Sequence, residues 1–357
     1  MKILHIIDEP YDSGITQYAL KAASGLRDRG HSVCVWGLTG CFPVLEAARN
    51  GLTTLGYSHP WVSLPLLRFK LREQSPDIIT AHTGSSHTLA VAVSAWHGGQ
   101  KIPVIRTRAD ARTVKPRPGK NLLWRNTAGF IAANDQILSE HKRHYPRWPS
   151  VSKRIYEGSK ESVKASPSPG GSPLIGIVGR LDPVKGHSDF LKAAAHLLKE
   201  FPDVRFIVIG RQENVKSNDL LRMAHSLKIG ERVEFAGHVP DVRDYMRRCH
   251  IGVIASTGSE AVSRVAVEWM SMGRPLIATG VGCLPEYLAD GKTGLIVPPR
   301  APMEMGRALG RLVSDSALRD RMGNEAKKRF SAVFTLERFL DETEHFYEKA
   351  IANISSR

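Results

Sequence analysis

The stretch LIGIVGRLDPVKG, Leu174 to Gly186, decides how this chain is expected to fold. Its first five residues are an unbroken apolar run with the length and β-branched content of a strand buried on both faces. Gly179, Arg180, Leu181, Asp182, Pro183, Val184, Lys185 and Gly186 follow as a loop, and a helix is expected from His187. Two cations therefore stand in a loop between a strand end and a helix start. In open parallel sheets ligands bind at that place, and the unpaired N–H groups of a helix start attract anions. An Arg fork grips phosphate oxygens bidentately while Lys supplies a compact charge, so Arg180 and Lys185 are candidates for holding a diphosphate. A pair of solvated cations beside a turn is the plainer alternative.

Working outward, apolar runs at Arg205–Ile209, Val233–Ala236, Ile251–Ala255, Pro275–Ala278 and Leu295–Val297 alternate with helices expected from His187, Asn218 and Asp241. The same alternation appears upstream in Lys2–Ile7, Ser32–Trp36, Asp77–Ala81, Pro103–Thr107 and Gly129–Ala132, with a helix from Ile15 to Arg29 capped by Gly30. Strand and helix in turn give parallel sheets covered on both faces. Between them Ser162 to Pro173 is dense in Ser, Pro and Gly and reads as a linker. The expected organisation is α/β with two Rossmann-like, doubly wound domains, 1–165 and 166–334. A closing helical segment, 335–357, is expected to cross back to the first.

The 357 residues are enough for two cores. A net charge of +15 points to an anionic partner: nucleic acid, an acidic bilayer or a phosphorylated substrate. Asp8 and Glu9 interrupt the apolar start and no run reaches the roughly 20 residues of a spanning helix, so cytoplasmic residence is expected, with membrane contact at most peripheral to its inner face. Cys34, Cys41, Cys249 and Cys283 have no metal-ligand spacing and read as free thiols. Zinc-finger spacing and basic tails are missing, which argues against nucleic acid. Neither first strand is followed by Gly-x-Gly-x-x-Gly, which argues against a nicotinamide-dependent oxidoreductase. No Asp-x-Asp is present, so any charge stabilisation is expected to be metal-independent and cofactor-free.

Downstream, Gly258 to Pro275 reads GSEAVSRVAVEWMSMGRP, with Glu260 expected at a helix entry and Glu268 two turns inside among apolar neighbours. A carboxylate in such surroundings needs hydrogen-bond donors, and ribose hydroxyls would serve. The helix dipole acting on a first-turn Glu, with a second Glu on an exposed face, would explain the pair without a ligand.

Glu260 and Glu268, with seven residues between them, resemble the signature of the retaining GT-B glycosyltransferases of the family 4, group 1 type. The resemblance runs on through Gly273–Thr279, Val281–Glu286 and Gly291–Pro299, and covers Gly179–Gly186 and Phe235–Val239. It implies two domains facing a central cleft and a hexosyltransferase moving a sugar from a UDP- or GDP-sugar to a glycan or lipid-linked acceptor, with envelope polysaccharide or lipopolysaccharide enzymes as the most similar members. It further implies that Gly179, Arg180 and Lys185 hold the diphosphate and that Glu268 holds the ribose. Glu260, with the backbone of Ser263, Arg264 and Val265, would take sugar and phosphates. His238 and Val239 would lie on the nucleobase side, and Gly282 and Cys283 in an amide-rich helix start. Gly14 would belong to a reduced form of the family's paired-glycine loop.

The chain departs from the pattern at Ala109, where many relatives carry a histidine. His82, at a neighbouring strand end, is the candidate replacement, with a hydrogen-bonded structural histidine as its alternative. Arg106, Arg108 and Asp110 are acceptor-side candidates, suited to a phosphate or carboxylate. Ala109 and the single glycine also motivate a different class, a catalytically silent nucleotide-sugar-binding or scaffold protein. Finally, Leu64–Arg72 and Lys115–Arg125, the latter with Trp124, mix apolar and basic residues. Each either lies in an anionic membrane interface or packs on a sheet with its cations reaching outward.

Overall fold

The computed structural model describes residues 1–95, 101–114, 119–145, 149, 151–161, 171–258 and 260–355. Most of the expected linker, 162–170, lies outside the described residues, as do 115–118 of the second apolar-basic segment. The chain divides into two compact units, Met1–Glu157 with Glu337–Arg357, and Gly158–Leu336.

Unit 1 runs β1 (Lys2–Ile7), α1 (Gly14–Asp28), β2 (Ser32–Leu38), α2 (Phe42–Arg49), β3 (Thr53–Tyr57), α3 (Leu64–Gln74), β4 (Ile78–Ala81), α4 (Gly84–Ser94), β5 (Val104–Arg108), α5 (Lys120–Arg125), β6 (Gly129–Ala132), α6 (Asp135–His144) and β7 (Val151–Arg154). Its seven strands form one sheet in the order β3-β2-β1-β4-β5-β6-β7. All pairs are parallel, for example Leu4 against Cys34 on one side and Ile79 on the other. The strands β1, β4, β5 and β6 are buried almost throughout, as apolar runs covered on both faces must be.

Unit 2 runs β8 (Leu174–Val178), α7 (His187–Leu197), β9 (Arg205–Ile209), α8 (Ser217–Ser226), β10 (Val233–Gly237), α9 (Val242–Arg248), β11 (Ile251–Ile254), α10 (Arg264–Ser271), β12 (Leu276–Thr279), α11 (Leu284–Tyr287), β13 (Gly294–Val297), α12 (Pro302–Ser314) and α13 (Ser316–Val333). The sheet order is β10-β9-β8-β11-β12-β13, again all parallel. One core of Ile175, Phe190, Phe206, Ile251, Leu309 and their neighbours fills the space between this sheet and its helices.

The last helix, α14 (Leu336–Ser355), packs with unit 1. Phe339 meets Tyr18 edge to face at 5.0 Å, and Arg29 bridges Asp341 at 2.7 Å and Glu344 at 3.1 Å. Among the described residues no helix is long and apolar enough to cross a membrane.

In each sheet the winding direction reverses once, between β1 and β4 and between β8 and β11. Loops leaving the carboxyl ends of such a pair splay apart and leave a crevice for ligands.

Candidate active site

At the reversal in unit 2, β8 continues into a loop held by its neighbour: the Gly179 amide donates to the Ile209 carbonyl at 2.9 Å and the Leu181 amide to that of Arg211 at 2.8 Å. Asp182 then starts a 3-10 turn, Pro183–Lys185, accepting from the Val184 amide at 2.9 Å and from Asn214 Nδ2 at 2.6 Å. Partial burial pushes its carboxyl up, but those two bonds with the charges of Arg180 and Lys185 outweigh it and hold the group below the ordinary range. Gly186 closes the turn at φ 69°, its Cα so near the Ala255 carbonyl that a Cβ would overlap it. The Thr257 amide reaches back to the Val184 carbonyl at 2.8 Å, tying the loop after β8 to the loop after β11.

These ties bring Lys185 onto Glu260. Lys185 Nζ and Ser256 Oγ both lie 2.5 Å from Glu260 Oε1. The Glu260 side chain is 4% exposed and that of Lys185 is 27% exposed, so the carboxylate is sequestered while its cation still reaches solvent. Ser256 is buried, and its carbonyl accepts from Thr279 Oγ1 at 2.6 Å. From the far side the Cys283 amide donates to the Glu260 carbonyl at 2.7 Å. Gly282, at φ 55°, is where the chain passes that carbonyl too closely for any Cβ. Three strand-end loops therefore converge on one residue, Glu260. A cavity of about 770 Å³, lined in part by Val184, Thr257, Gly258, Lys192 and Arg300, opens beside them.

Several expectations change in detail. Glu260 is not in a helix: α10 begins at Arg264 with the buried Ser263 as its N-cap, so the helix-dipole explanation for Glu260 does not apply. Arg264 is exposed and Val265 half-buried in the first turn. Glu268 lies one turn, not two, into this short helix, and its surroundings are polar. It is half-buried and lines a cavity of about 300 Å³ with Lys160, Asp241, Arg243 and Ser271. Cys283 is buried, its thiol pushed far up by burial with Glu260 and Glu286 adding, and its amide is already committed to Glu260. It offers a ligand no free amide, and α11 behind it is a single turn. Arg180 does not approach Glu260. Its side chain is 46% exposed and its nearest acid is Glu213 at 3.9 Å. At the end of β10, His238 is exposed and Val239 buried, just ahead of Pro240 and Asp241 in the recess of Glu268.

Unit 1 places its candidates differently. Gly14 opens α1 behind the N-cap Ser13, facing the Ala109 carbonyl. His82 is 2% exposed and its Nε2 meets His5 Nδ1 at 3.0 Å, the two rings stacked. Burial drives His5 down to about 3, and burial with His5 and Arg106 drives His82 well below its ordinary value, so both are neutral. This is the hydrogen-bonded structural histidine rather than a presented base. Arg106 and Arg108 are each 7% exposed and turn inward. Arg106 Nη1 donates to the carbonyls of Ala81, at 3.2 Å, and Thr107, and burial lowers its guanidinium to about 10. Arg108 meets His141 Nε2 at 2.9 Å, Asp110 at 3.0 Å and the Arg112 carbonyl. They brace the end of β5 and are not an anion-binding edge. Trp124 is also core, packed against His87, Phe130 and Tyr145.

Sequence reading missed Ser256, which bonds Glu260 within one loop, and Thr279 and Asn214, which act across loops. Asp182 could have been found, because an Asp before Pro is a turn-capping signal. Among the described residues no group of three or more His, Cys, Asp or Glu is arranged to hold a metal ion.

Comparison with known proteins agrees with this anatomy. Residues 158–329 match the family model for glycosyl transferases group 1, and residues 13–158 match that for Glycosyltransferase Family 4. The chain is 31% identical over 319 residues to the D-inositol 3-phosphate glycosyltransferase of Corynebacterium glutamicum (strain R), covering 83% of this chain and 72% of that protein. It is 27% identical over 292 residues to spore coat protein SA of Bacillus subtilis (strain 168), covering 78% and 75%. Among solved structures, a glycosyltransferase from Rickettsia africae ESF-5 superposes with a TM-score of 0.86 at 16% identity, covering 99% of each chain. Anabaena Alr3699/HepE in complex with UDP gives 0.80 at 18% identity, covering 98% of this chain and all of that one. With two parallel-sheet Rossmann-like units and the two family models together matching residues 13–329, the chain belongs to the group 1, family 4 glycosyltransferases of the GT-B fold.

Proposed function

We propose that this protein is a retaining, metal-independent glycosyltransferase whose unit 2 binds a nucleotide-sugar and whose acceptor is a glycan or lipid-linked molecule of the cell envelope. The observation that carries the reading is the pairing of Lys185 with the sequestered Glu260 at the β8/β11 reversal. Glu260 Oε1 takes Lys185 and Ser256, which leaves acceptor capacity on the carboxylate for sugar hydroxyls. Lys185, partly in solvent, and the exposed Arg180 supply positive charge where a diphosphate departs, and charge aimed at the leaving group lowers the barrier. In this reading Glu268, in its polar recess beside the end of β10, takes the ribose hydroxyls. Transfer with retention is the outcome expected for front-face attack on a donor held this way.

UDP-sugars are the first donors to test, because HepE has been solved with UDP and with UDP-glucose. The envelope leaning draws on a structural likeness to the lipopolysaccharide outer core galactosyltransferase WaaB. The spore coat and D-inositol 3-phosphate relatives keep glycans and small polyols in the acceptor screen. The buried Ala109 favours one second reading, a silent nucleotide-sugar-binding protein. Incubating the pure protein with UDP-, GDP- and ADP-glucose together with glycan and polyol acceptors, and following donor loss and product anomer by NMR, separates them. Donor turnover giving an α product supports retention, turnover giving the β product contradicts it, and binding without turnover supports the silent reading.

A further inference from the structure

The helix α3 has two apolar faces, and only one is used by the fold. Leu67 and Leu71 are fully buried in the unit 1 core, which accounts for the inner side. On the outer side Leu66 and Phe69 stand three residues apart on one helix face, with Trp61 and Val62 in the turn just before the helix. These four side chains are between 49% and 76% exposed. Single exposed apolar residues are ordinary, but four large ones on one short segment mark an interaction surface.

The charges around them indicate what covers the stripe. From residue 47 to 72 there is no Asp or Glu, while Arg49, Arg68, Lys70 and Arg72 are all present. By helical geometry Lys70 and Arg72 border the stripe on opposite sides. Lys70 lies over the Phe69 ring at 5.8 Å and pairs with Glu73 at 2.8 Å, an exposed pair of little energetic weight. Trp, Phe and Leu tips bordered by long cationic side chains are the composition of a segment lying in a lipid headgroup layer, where rings enter the acyl boundary and cations meet phosphates.

We propose that the outer face of α3 with the Trp61-Val62 loop docks on an anionic lipid surface. Binding combines apolar insertion with attraction of the basic segment to acidic headgroups. The surface is independent of the transfer chemistry assigned to unit 2.

Co-sedimentation of the full chain with vesicles tests this. At low salt the protein is expected to bind vesicles of phosphatidylcholine mixed equally with phosphatidylglycerol, and not vesicles of phosphatidylcholine alone. A Trp61→Ser/Leu66→Ser/Phe69→Ser variant should bind at least about tenfold more weakly, with its circular dichroism unchanged because these side chains are exposed. A Lys70→Gln/Arg72→Gln variant should bind more weakly and lose part of the salt dependence. This second variant keeps the test valid if the first misfolds. Equal binding by wild type and variants, or equal binding to neutral vesicles, overturns the proposal. So does sedimentation equilibrium showing a wild-type dimer that the triple variant abolishes, since the stripe would then be covered by a second copy.

Discussion

The two sheet reversals make a controlled comparison. At β8/β11 the loops carry an acid and a base from different strands onto each other, and the base remains partly in solvent. At β1/β4 and the adjoining β5 the strand ends are also rich in titratable groups, yet the buried His5 meets the buried His82, and the buried Arg108 meets the buried His141 and the half-buried Asp110. Topology alone makes both places candidates for ligand binding. What separates them is whether the polar groups are shut away from solvent or still have capacity facing it. Unit 2 therefore reads as chemistry and the unit 1 groups as bracing.

The strongest way to sharpen that contrast is Lys185→Met. It removes the cation from the leaving end and strands a carboxylate that is 4% exposed. Loss of a charge-stabilising donor costs about 100-fold or more in kcat, and the stranded carboxylate should also lower Tm. Steady-state kinetics and thermal unfolding measure the two effects separately, and Lys185→Arg should recover more of Tm than of kcat.

Arg108→Met is the counterpart in unit 1. Losing charged hydrogen bonds from a buried site costs about 2 kcal/mol of stability, seen as a lower denaturation midpoint with donor affinity unchanged. Lost transfer at an unchanged midpoint would return Arg108 to the acceptor side.

Acid should probe the same bracing. Burial holds His5 and His141 at about 3 and His187, at the start of α7, at about 4. Between the ordinary value near 6.5 and those values the unfolded chain binds protons that the folded chain refuses. Stability is therefore full above pH 6.5 and falls as pH drops through that window, by at most about 1.4 kcal/mol per unit for each such group. Thermal unfolding from pH 7 to pH 5 should show the fall, and His141→Gln should flatten it.

The smallest effect expected is that of Ser256→Ala. It deletes one hydrogen bond to Glu260, worth about 1 kcal/mol of stability, so Tm should fall slightly and kcat by no more than about fivefold. Ser256→Thr, which keeps the hydroxyl, should restore it.

The two sheets were legible in the sequence where strands are buried on both faces, since an apolar run such as FIVI after Arg205 leaves little choice. The strands β3 and β7 were missed because TTLGY and VSKR carry polar residues that only edge strands tolerate. The two glutamates were legible as a pair, but their environments were interchanged. Val267, Trp269 and Met270 face the core, while Glu268 between them turns to a polar recess. The buried acid is Glu260, whose partner Lys185 comes from another loop and leaves no local trace, while Ser256 lies four residues before it in the same loop. Arg106 and Arg108 misled for a related reason. On a strand covered on both faces neither side leads to solvent, so their guanidiniums had to find partners inside.

The most direct test is calorimetric titration of UDP-, GDP- and ADP-glucose into wild type, Lys185→Ala and Arg108→Gln. Saturable binding of one donor is predicted for wild type and Arg108→Gln, with Lys185→Ala weakened at least about tenfold, which is 1.4 kcal/mol. Equal affinity of Lys185→Ala and wild type for that donor, or no binding of any donor to wild type, would contradict the assignment of the donor site to unit 2.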